Sequence, residues 1–448
     1  MKLPVKPMPQ SQQLLQLRAG QLSGVKRLDI SCGLTAFPTE IFDLADSLEV
    51  LNLSGNALSS LPNDFARLKK LKILFCSNNA FTEIPEVLGQ CESLSMIGFK
   101  ANKVSVLPEN SPPKNLQWLI LTDNQLTHLP STIGQCAHLQ KLMLAGNQLS
   151  NLPNSMVDCT QLELLRISAN RFESLPDWLL SMPRLAWLAY AGNPFCQSLE
   201  QKKSSQQPAT QIDWANLTIK KQLGEGASGV IYQAGWQRSD VEAKTIAVKL
   251  FKGAVTSDGL PQNEMSACIA AGTHPNLTTI EGAICNHPDH IQGLGMALIE
   301  PSFINLANPP SFATCTRDVY ATDTTFTFNQ LMNIADGIAS AAQHLHANHI
   351  LHGDLYAHNI LHNAQGQCLL SDFGAASFIT DDLNGQAELL QKIEVRAYAC
   401  LLEELIERCE SPTPAIAALK SLQQDCAQAN INARPLFSNI TATLKALS

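Results

Sequence analysis

No stretch of this chain approaches the ~18 consecutive apolar residues that a membrane-crossing helix requires, so no helical membrane span is expected. A basic excess is missing too. Lys and Arg number 31 against 39 Asp and Glu, a formal net charge of −8, and nucleic-acid partners demand a basic face that this balance does not supply. The opening residues, MKLPVKPMPQSQQ, carry basic side chains but not the apolar segment of a secretory signal. Without that context the thirteen cysteines are expected as reduced thiols, in a cytoplasmic protein. The 448 residues remain long enough for two or three domains at roughly 100–200 residues each.

What is present instead is a repeat. LEVLNLSGNALSSLP begins at Leu48, LKILFCSNNAFTEIP at Leu71, LSMIGFKANKVSVLP at Leu94 and LQWLILTDNQLTHLP at Leu116. LQKLMLAGNQLSNLP follows at Leu139, LELLRISANRFESLP at Leu162 and LAWLAYAGNPF at Leu185, each start 22 or 23 residues after the last. An imperfect earlier copy, VKRLDISCGLTAFP, starts at Val25. The period falls in the window of about 20–29 residues typical of leucine-rich repeats, which the pattern resembles over residues 25–196 in about eight units. In L-x-x-L-x-L the leucines of a short strand point inward, and Asn56, Asn79, Asn102, Asn124, Asn147, Asn170 and Asn193 follow where an amide can satisfy turning backbone. Cys91, Cys136 and Cys159 occupy a slot held elsewhere by Leu44, Leu68 and Met182, which makes them core residues rather than ligands. Residues 1–24 read as an N-terminal flank and cap, and no repeat can bury its apolar face without its neighbours.

Residues 197–212 are polar and read as a surface linker. Beyond them, over 213–448, the composition changes. Strand-like residues lead into Gly224-x-Gly226-x-x-Gly229, a spacing that ordinary turns also produce. A β-branched strand then carries Lys249, and a helical stretch, PQNEMSACIAAG, carries Glu264. Farther on come HGDLYAHN, with Asp354 and Asn359, then SDFG, with Asp372, and late in the chain NARPLF.

In this order and spacing the set resembles the eukaryotic-type protein kinase signature. The fold class implied is multi-domain α+β, a leucine-rich repeat solenoid followed by a bilobal kinase-like domain, and the arrangement resembles bacterial versions of such fusions. The resemblance implies ATP and Mg²⁺ as cofactors. Gly224, Gly226 and Gly229 would let backbone N–H groups approach the phosphates, Lys249 would bind them, and Glu264 would hold the ammonium. Asn359 and Asp372 are oxygen donors suited to Mg²⁺, and Asp354 would take the substrate proton. Leu223, Ile231, Ala247 and Leu361 fall where the family packs adenine, with Ile299 and Glu300 opening the hinge.

The pattern also departs from the family. Gly353 stands where the loop usually has Arg, and Tyr356 where serine/threonine kinases often have Lys. His358, four residues after Asp354, is the loop's remaining group able to carry positive charge toward the γ-phosphate. Only 22 residues separate Asp372 from Glu394, the counterpart of a helix Asp, and no Ala-Pro-Glu lies between them. The activation segment is therefore short, and Arg434 is expected to lack its usual Glu. The expected activity is an ATP-dependent protein kinase acting on Ser/Thr rather than Tyr. A pseudokinase scaffold and a small-molecule phosphotransferase are the alternatives.

One feature of the repeats has no structural requirement behind it. The outward strand positions carry Phe75, Met96, Trp118, Ile120, Met143 and Trp187, with Arg166 among them. Contiguous exposed apolar surface commonly marks an interaction site, and Trp and Arg are favoured hot-spot residues. The expectation is a protein substrate or regulator docked on this concave face, unless the kinase-like domain folds back over it.

Overall fold

A computed structural model of the chain describes residues 12–206, 210–226, 228–238, 241–253, 255–256, 258–379, 386–410 and 414–447. Residues 1–11 of the expected N-terminal flank, 207–209 of the expected linker and 380–385 of the short segment after Asp372 lie outside the described residues. Among those described, no helix is long and apolar enough to cross a membrane. The chain divides into two compact units, residues 1–162 with 170–178 and residues 163–169 with 179–448.

The first unit opens with a short helix, α1 (Gln12–Arg18), which buries Leu14 and Leu17. Gln13 Oε1 accepts the Asp29 N–H at 3.0 Å, so this helix caps the first strand. Six three-residue strands pair in parallel, one from each repeat: β1 (Arg27–Asp29), β2 (Val50–Asn52), β3 (Ile73–Phe75), β4 (Met96–Gly98), β5 (Trp118–Ile120) and β6 (Lys141–Met143). Leu51, Leu74 and Leu142 sit in the strand centres and are fully buried. The repeat asparagines bond as their position predicts. Asn79 Nδ2 donates to Leu53 O of the preceding repeat at 2.9 Å and to Cys76 O at 3.1 Å, while its Oδ1 accepts the Leu58 N–H at 2.9 Å. Cys91, Cys136 and Cys159 are buried free thiols, and burial pushes them up to about 11, 11 and 12.

The second unit contains the last two repeat strands, β7 (Leu164–Arg166) and β8 (Trp187–Ala189), paired in parallel. The boundary between the compact units therefore falls before the polar stretch, while the parallel repeat strands end at Ala189 and the next sheet begins at Gln211, on either side of it. Part of that stretch is helical: α2 (Gln197–Gln206) is held by Glu200, whose Oε1 accepts the Gly192 N–H at 2.9 Å and the Asn263 amide at 2.8 Å. A six-stranded sheet follows, built from β9 (Gln211–Asp213), β10 (Leu217–Glu225), β11 (Gly229–Arg238), β12 (Val241–Phe251), β13 (Ile280–Cys285) and β14 (Gly293–Ala297), in the order β10-β11-β12-β14-β13-β9. Its core gathers Ile212, Ala234, Trp236, Ile246, Val248 and Ile284. Helix α3 (Pro261–Ala271) accompanies this sheet, with Pro261 in its first turn, where a missing N–H costs nothing.

The remainder is mainly helical. After β15 (Ile304–Asn305) comes α4 (Phe328–Ala347), started by a capping box in which Thr327 and Gln330 satisfy each other's backbone N–H. Four short strands, β16 (Ile350–Leu351), β17 (Ile360–His362), β18 (Cys368–Leu370) and β19 (Ser377–Phe378), carry the loops that matter below. They are followed by α5 (Gln386–Glu407), α6 (Pro414–Cys426) and α7 (Phe437–Leu447). Tyr398 of α5 donates to Ala335 O of α4 at 2.9 Å, locking the two longest helices together.

Candidate active site

A cavity of about 530 Å³ opens within the second unit, lined by Leu223, Gly224, Gly226, Ile231, Lys249, Glu264, Met296, Ile299, His358, Asn359, Leu361 and Asp372 among others. Its charged wall is built by two elements. Strand β12 holds Lys249 between Ile231 of β11 and Leu294 of β14, and the first turn of α3 brings Glu264 against its ammonium. Asp372 Oδ1 lies 3.8 Å from the same Nζ. Burial alone would lower the Lys249 pKa, but Asp372 and Glu264 outweigh it and the ammonium is held charged above its ordinary range. Burial pushes the Glu264 carboxyl up to about 7, against the pull of Lys249.

The glycines divide by what a side chain would meet. At Gly224 and Gly226 an added Cβ meets nothing within 4 Å, so the backbone stands open toward the cavity. At Gly229 it would lie 2.5 Å from Leu250 O, which makes that glycine a requirement of strand packing. Gly229 and Glu300 do not line the cavity. Ala247 shares a strand face with Lys249, but the lining there comes from Met296, its partner on β14. Sequence reading missed Met296 and Leu294, although the strand that pairs with the Lys249 strand was bound to supply such residues.

The loop HGDLYAHN is fixed from below. Gly353 N–H donates to Glu394 Oε1 at 2.7 Å, and His346 Nε2 lies 2.7 Å from Glu394 Oε2. Burial would raise the Glu394 carboxyl, but His346, His352 and the Gly353 N–H together hold it below the ordinary value. The Asn359 amide donates to Asp354 Oδ2 at 2.8 Å and to Asp354 O at 3.0 Å. With its nitrogen so committed, Asn359 has its amide oxygen left for a cation. His358 Nδ1 lies 2.7 Å from Asp318 Oδ1, and the His358 N–H donates to Asp318 Oδ2 at 3.0 Å.

Two oxygen-bearing side chains on one wall, Asn359 and Asp372, fit a small hard cation that keeps waters and takes phosphate oxygens as its other ligands. Among the described residues no group of three or more His, Cys, Asp and Glu is placed to hold a metal ion. Lys249 would be the cation for an anionic ligand in this cavity, and Asn359 and Asp372 would be the residues to hold a divalent ion.

Of the residues expected to face a partner, Arg166 and Trp187 are buried within the second unit. The guanidinium of Arg166 bonds Asp354, and the Trp187 indole stacks on Tyr356 at 4.1 Å with 6° between the planes. This corrects the expectation for these two, since the chain's own loop occupies them. Phe75, Trp118, Ile120 and Met143 are half-buried in the first unit, and Met96 is buried. There the Trp118 Nε1–H points at Met143 Sδ, 3.4 Å away, and the Lys141 ammonium lies 4.5 Å from the indole centre. No carboxylate pairs with Arg434 among the described residues. Arg434 is buried and donates to the carbonyls of Gln428, Lys392 and Pro183, and burial lowers it to about 10.

Residues 217–403 match the family described as protein tyrosine and serine/threonine kinase, and residues 46–103 and 114–172 match leucine-rich repeat families. The chain is 24% identical to Ephrin type-B receptor 1-A of Xenopus laevis over 283 residues and 24% identical to Ephrin type-B receptor 4 of Homo sapiens over 281 residues. Each match covers 53% of this chain and 27% of the relative, so the chain spans about a quarter of the length of these relatives. A leucine-rich repeat protein of Leptospira interrogans, known in structure, is 30% identical, with a TM-score of 0.37 over 42% of this chain and 48% of that one.

Proposed function

We infer, from a chain in which leucine-rich repeats precede a protein tyrosine and serine/threonine kinase domain, that it transfers the γ-phosphate of ATP to a protein hydroxyl, Ser or Thr rather than Tyr. The observation that carries this reading is the assembled Lys249–Glu264–Asp372 cluster on the cavity wall, with Asn359 and Asp354 hydrogen-bonded beside it. In this reading Lys249 binds phosphate oxygens, Asp372 and Asn359 hold Mg²⁺, and Asp354 orients the acceptor hydroxyl and takes its proton. Leu223, Ile231, Leu361 and Met296 receive the adenine. His358, on the same wall, faces the phosphates in the geometry set by Asp318. The first unit, through Phe75, Trp118, Ile120 and Met143, docks the protein substrate or a regulator.

The test is transfer of label from γ-labelled ATP with Mg²⁺ to a generic protein acceptor by the full chain. Asp354→Asn should cut the rate by about 10²–10⁴-fold, the range for a positioned base, and leave nucleotide affinity nearly unchanged. Lys249→Met should harm both. Phosphoamino-acid analysis of the product identifies the acceptor. No thermal shift with MgATP and no labelling would leave a binding scaffold in place of an enzyme.

A further inference from the structure

We propose that Arg166, on the repeat strand β7, is a positioning residue for Asp354, supplying from the repeats the cation that the loop itself does not bring to that carboxylate. The proposal rests on the reading of Asp354 as the base of phosphoryl transfer.

The guanidinium is 1% exposed and reaches three acceptors. Its Nε donates to Asp258 Oδ1 at 2.6 Å, Nη1 to Gly353 O at 3.0 Å, and Nη2 to Asp354 Oδ1. A buried cation is tolerated only when paired and fully hydrogen-bonded. Here burial is outweighed by Asp354 and Asp258, and the guanidinium is held charged. The planar fork grips a carboxylate and the carbonyl of the preceding residue together, which fixes both the place and the rotation of Asp354. Asn359 holds the other oxygen at 2.8 Å. An ionised carboxylate offers about four lone-pair positions, so room remains for an acceptor hydroxyl.

The loop has no means of doing this alone. Gly353 adopts φ +72°, and a Cβ there would lie 2.5 Å from Ala375 O and 2.7 Å from Leu188 O. Tyr356 is spent on Trp187, whose Nε1–H donates to Leu355 O at 3.1 Å. His358 is bonded to Asp318. The repeat strands are fastened around the loop by further bonds. Ser377 Oγ accepts the N–H groups of Tyr190 and Ala191 at 3.0 and 3.2 Å, and Arg396 and Arg434 donate to Arg184 O and Pro183 O at 3.1 and 2.8 Å. All of this coexists with the assembled Lys249–Glu264 pair, which points to a part of the working site and not a shut state.

The experiment compares full-length wild type, Arg166→Gln, Arg166→Lys and Arg166→Gly with and without added guanidinium, measuring kcat and the KM for ATP. Arg166→Gln should lose about 10²-fold in kcat, the scale of a misplaced catalytic group, with the KM for ATP within about twofold of wild type. Lysine should recover part of the loss, and free guanidinium should revive Arg166→Gly. A merely structural arginine would give no such rescue. Unchanged kcat overturns the proposal, and so does a rise in turnover, which would make the guanidinium a plug on Asp354. If Arg166→Gln fails to fold, Arg166→Lys and Asp258→Asn carry the test, and wild-type kcat in both overturns it. A wild-type chain that transfers no phosphate defeats the kinase reading itself, an outcome distinct from active wild type with indifferent variants.

Discussion

Restoring a side chain at position 353 should damage this protein, although the related loops carry arginine there. The smallest version is Gly353→Ala. Gly353 stands at φ +72°, where an L-residue costs about 1–2 kcal/mol. Its Cβ would press on Ala375 O at 2.5 Å and Leu188 O at 2.7 Å, both backbone atoms that cannot rotate aside, and overpacking of this kind costs about 1–3 kcal/mol. The sum is about 2–5 kcal/mol, which at roughly 2 °C per kcal/mol lowers the Tm of the second unit by about 4–10 °C. Differential scanning calorimetry of the full chain, with and without MgATP, measures it. Gly353→Arg should fare worse still. An alanine variant melting within about 1 °C of wild type, far inside the expected shift, would refute the claim that Leu188 and Ala375 exclude a side chain here.

Three further outcomes are expected. Glu264 has its pKa raised from 4.5 to about 7, so the folded state holds this proton more tightly than the unfolded one. Its contribution to stability is present below pH 4.5 and lost as pH rises to about 7, and Glu264→Gln should flatten that part of the stability–pH curve measured by urea unfolding. Arg434→Met strips the donor from three carbonyls, of which that of Lys392 is in a buried bond, and at about 1 kcal/mol or more for a buried acceptor left unpaired the urea midpoint should fall; an unmoved midpoint would mean that water or repacking serves them equally well. A chain cut to residues 213–448 loses Arg166, Trp187 and Tyr190 from its own compact unit, so it should show no cooperative melt. A fragment that melts cooperatively and binds MgATP as the whole chain does would contradict the division found here.

The repeats were legible because a period of 22 or 23 residues cannot arise by chance, and each leucine and asparagine in it answers a local demand of the backbone. The cluster at Lys249, Glu264, Asp372 and Asn359 was legible because an ordered set of chemically necessary residues is recognisable at a distance. The role of Arg166 and Trp187 was not. An outward-facing tryptophan has the same local signature whether another protein or the chain's own loop 168 residues away covers it. Gly353 read as a lost arginine, while its cause, a carbonyl of strand β8, lies far off in sequence. Residues 197–206 read as linker because nothing in their polar composition announces that Glu200 ties a helix to Gly192 and Asn263.

The asparagine rungs carry one more implication. Asn102 reaches back to Cys76 O, Asn147 to Leu121 O and Asn193 to Ile167 O, each spanning 26 residues in the same way. A duplication or loss of one whole period upstream of Leu162 would preserve every rung, so unequal recombination can lengthen or shorten that stretch at little structural cost. Leu162 marks where this freedom stops. Past it, Arg166 and Trp187 are pinned to Asp354 and Tyr356, and a single added period there would carry both away from the residues they serve. The gene can therefore vary the number of its repeats by copying, while its last two repeats must change one residue at a time.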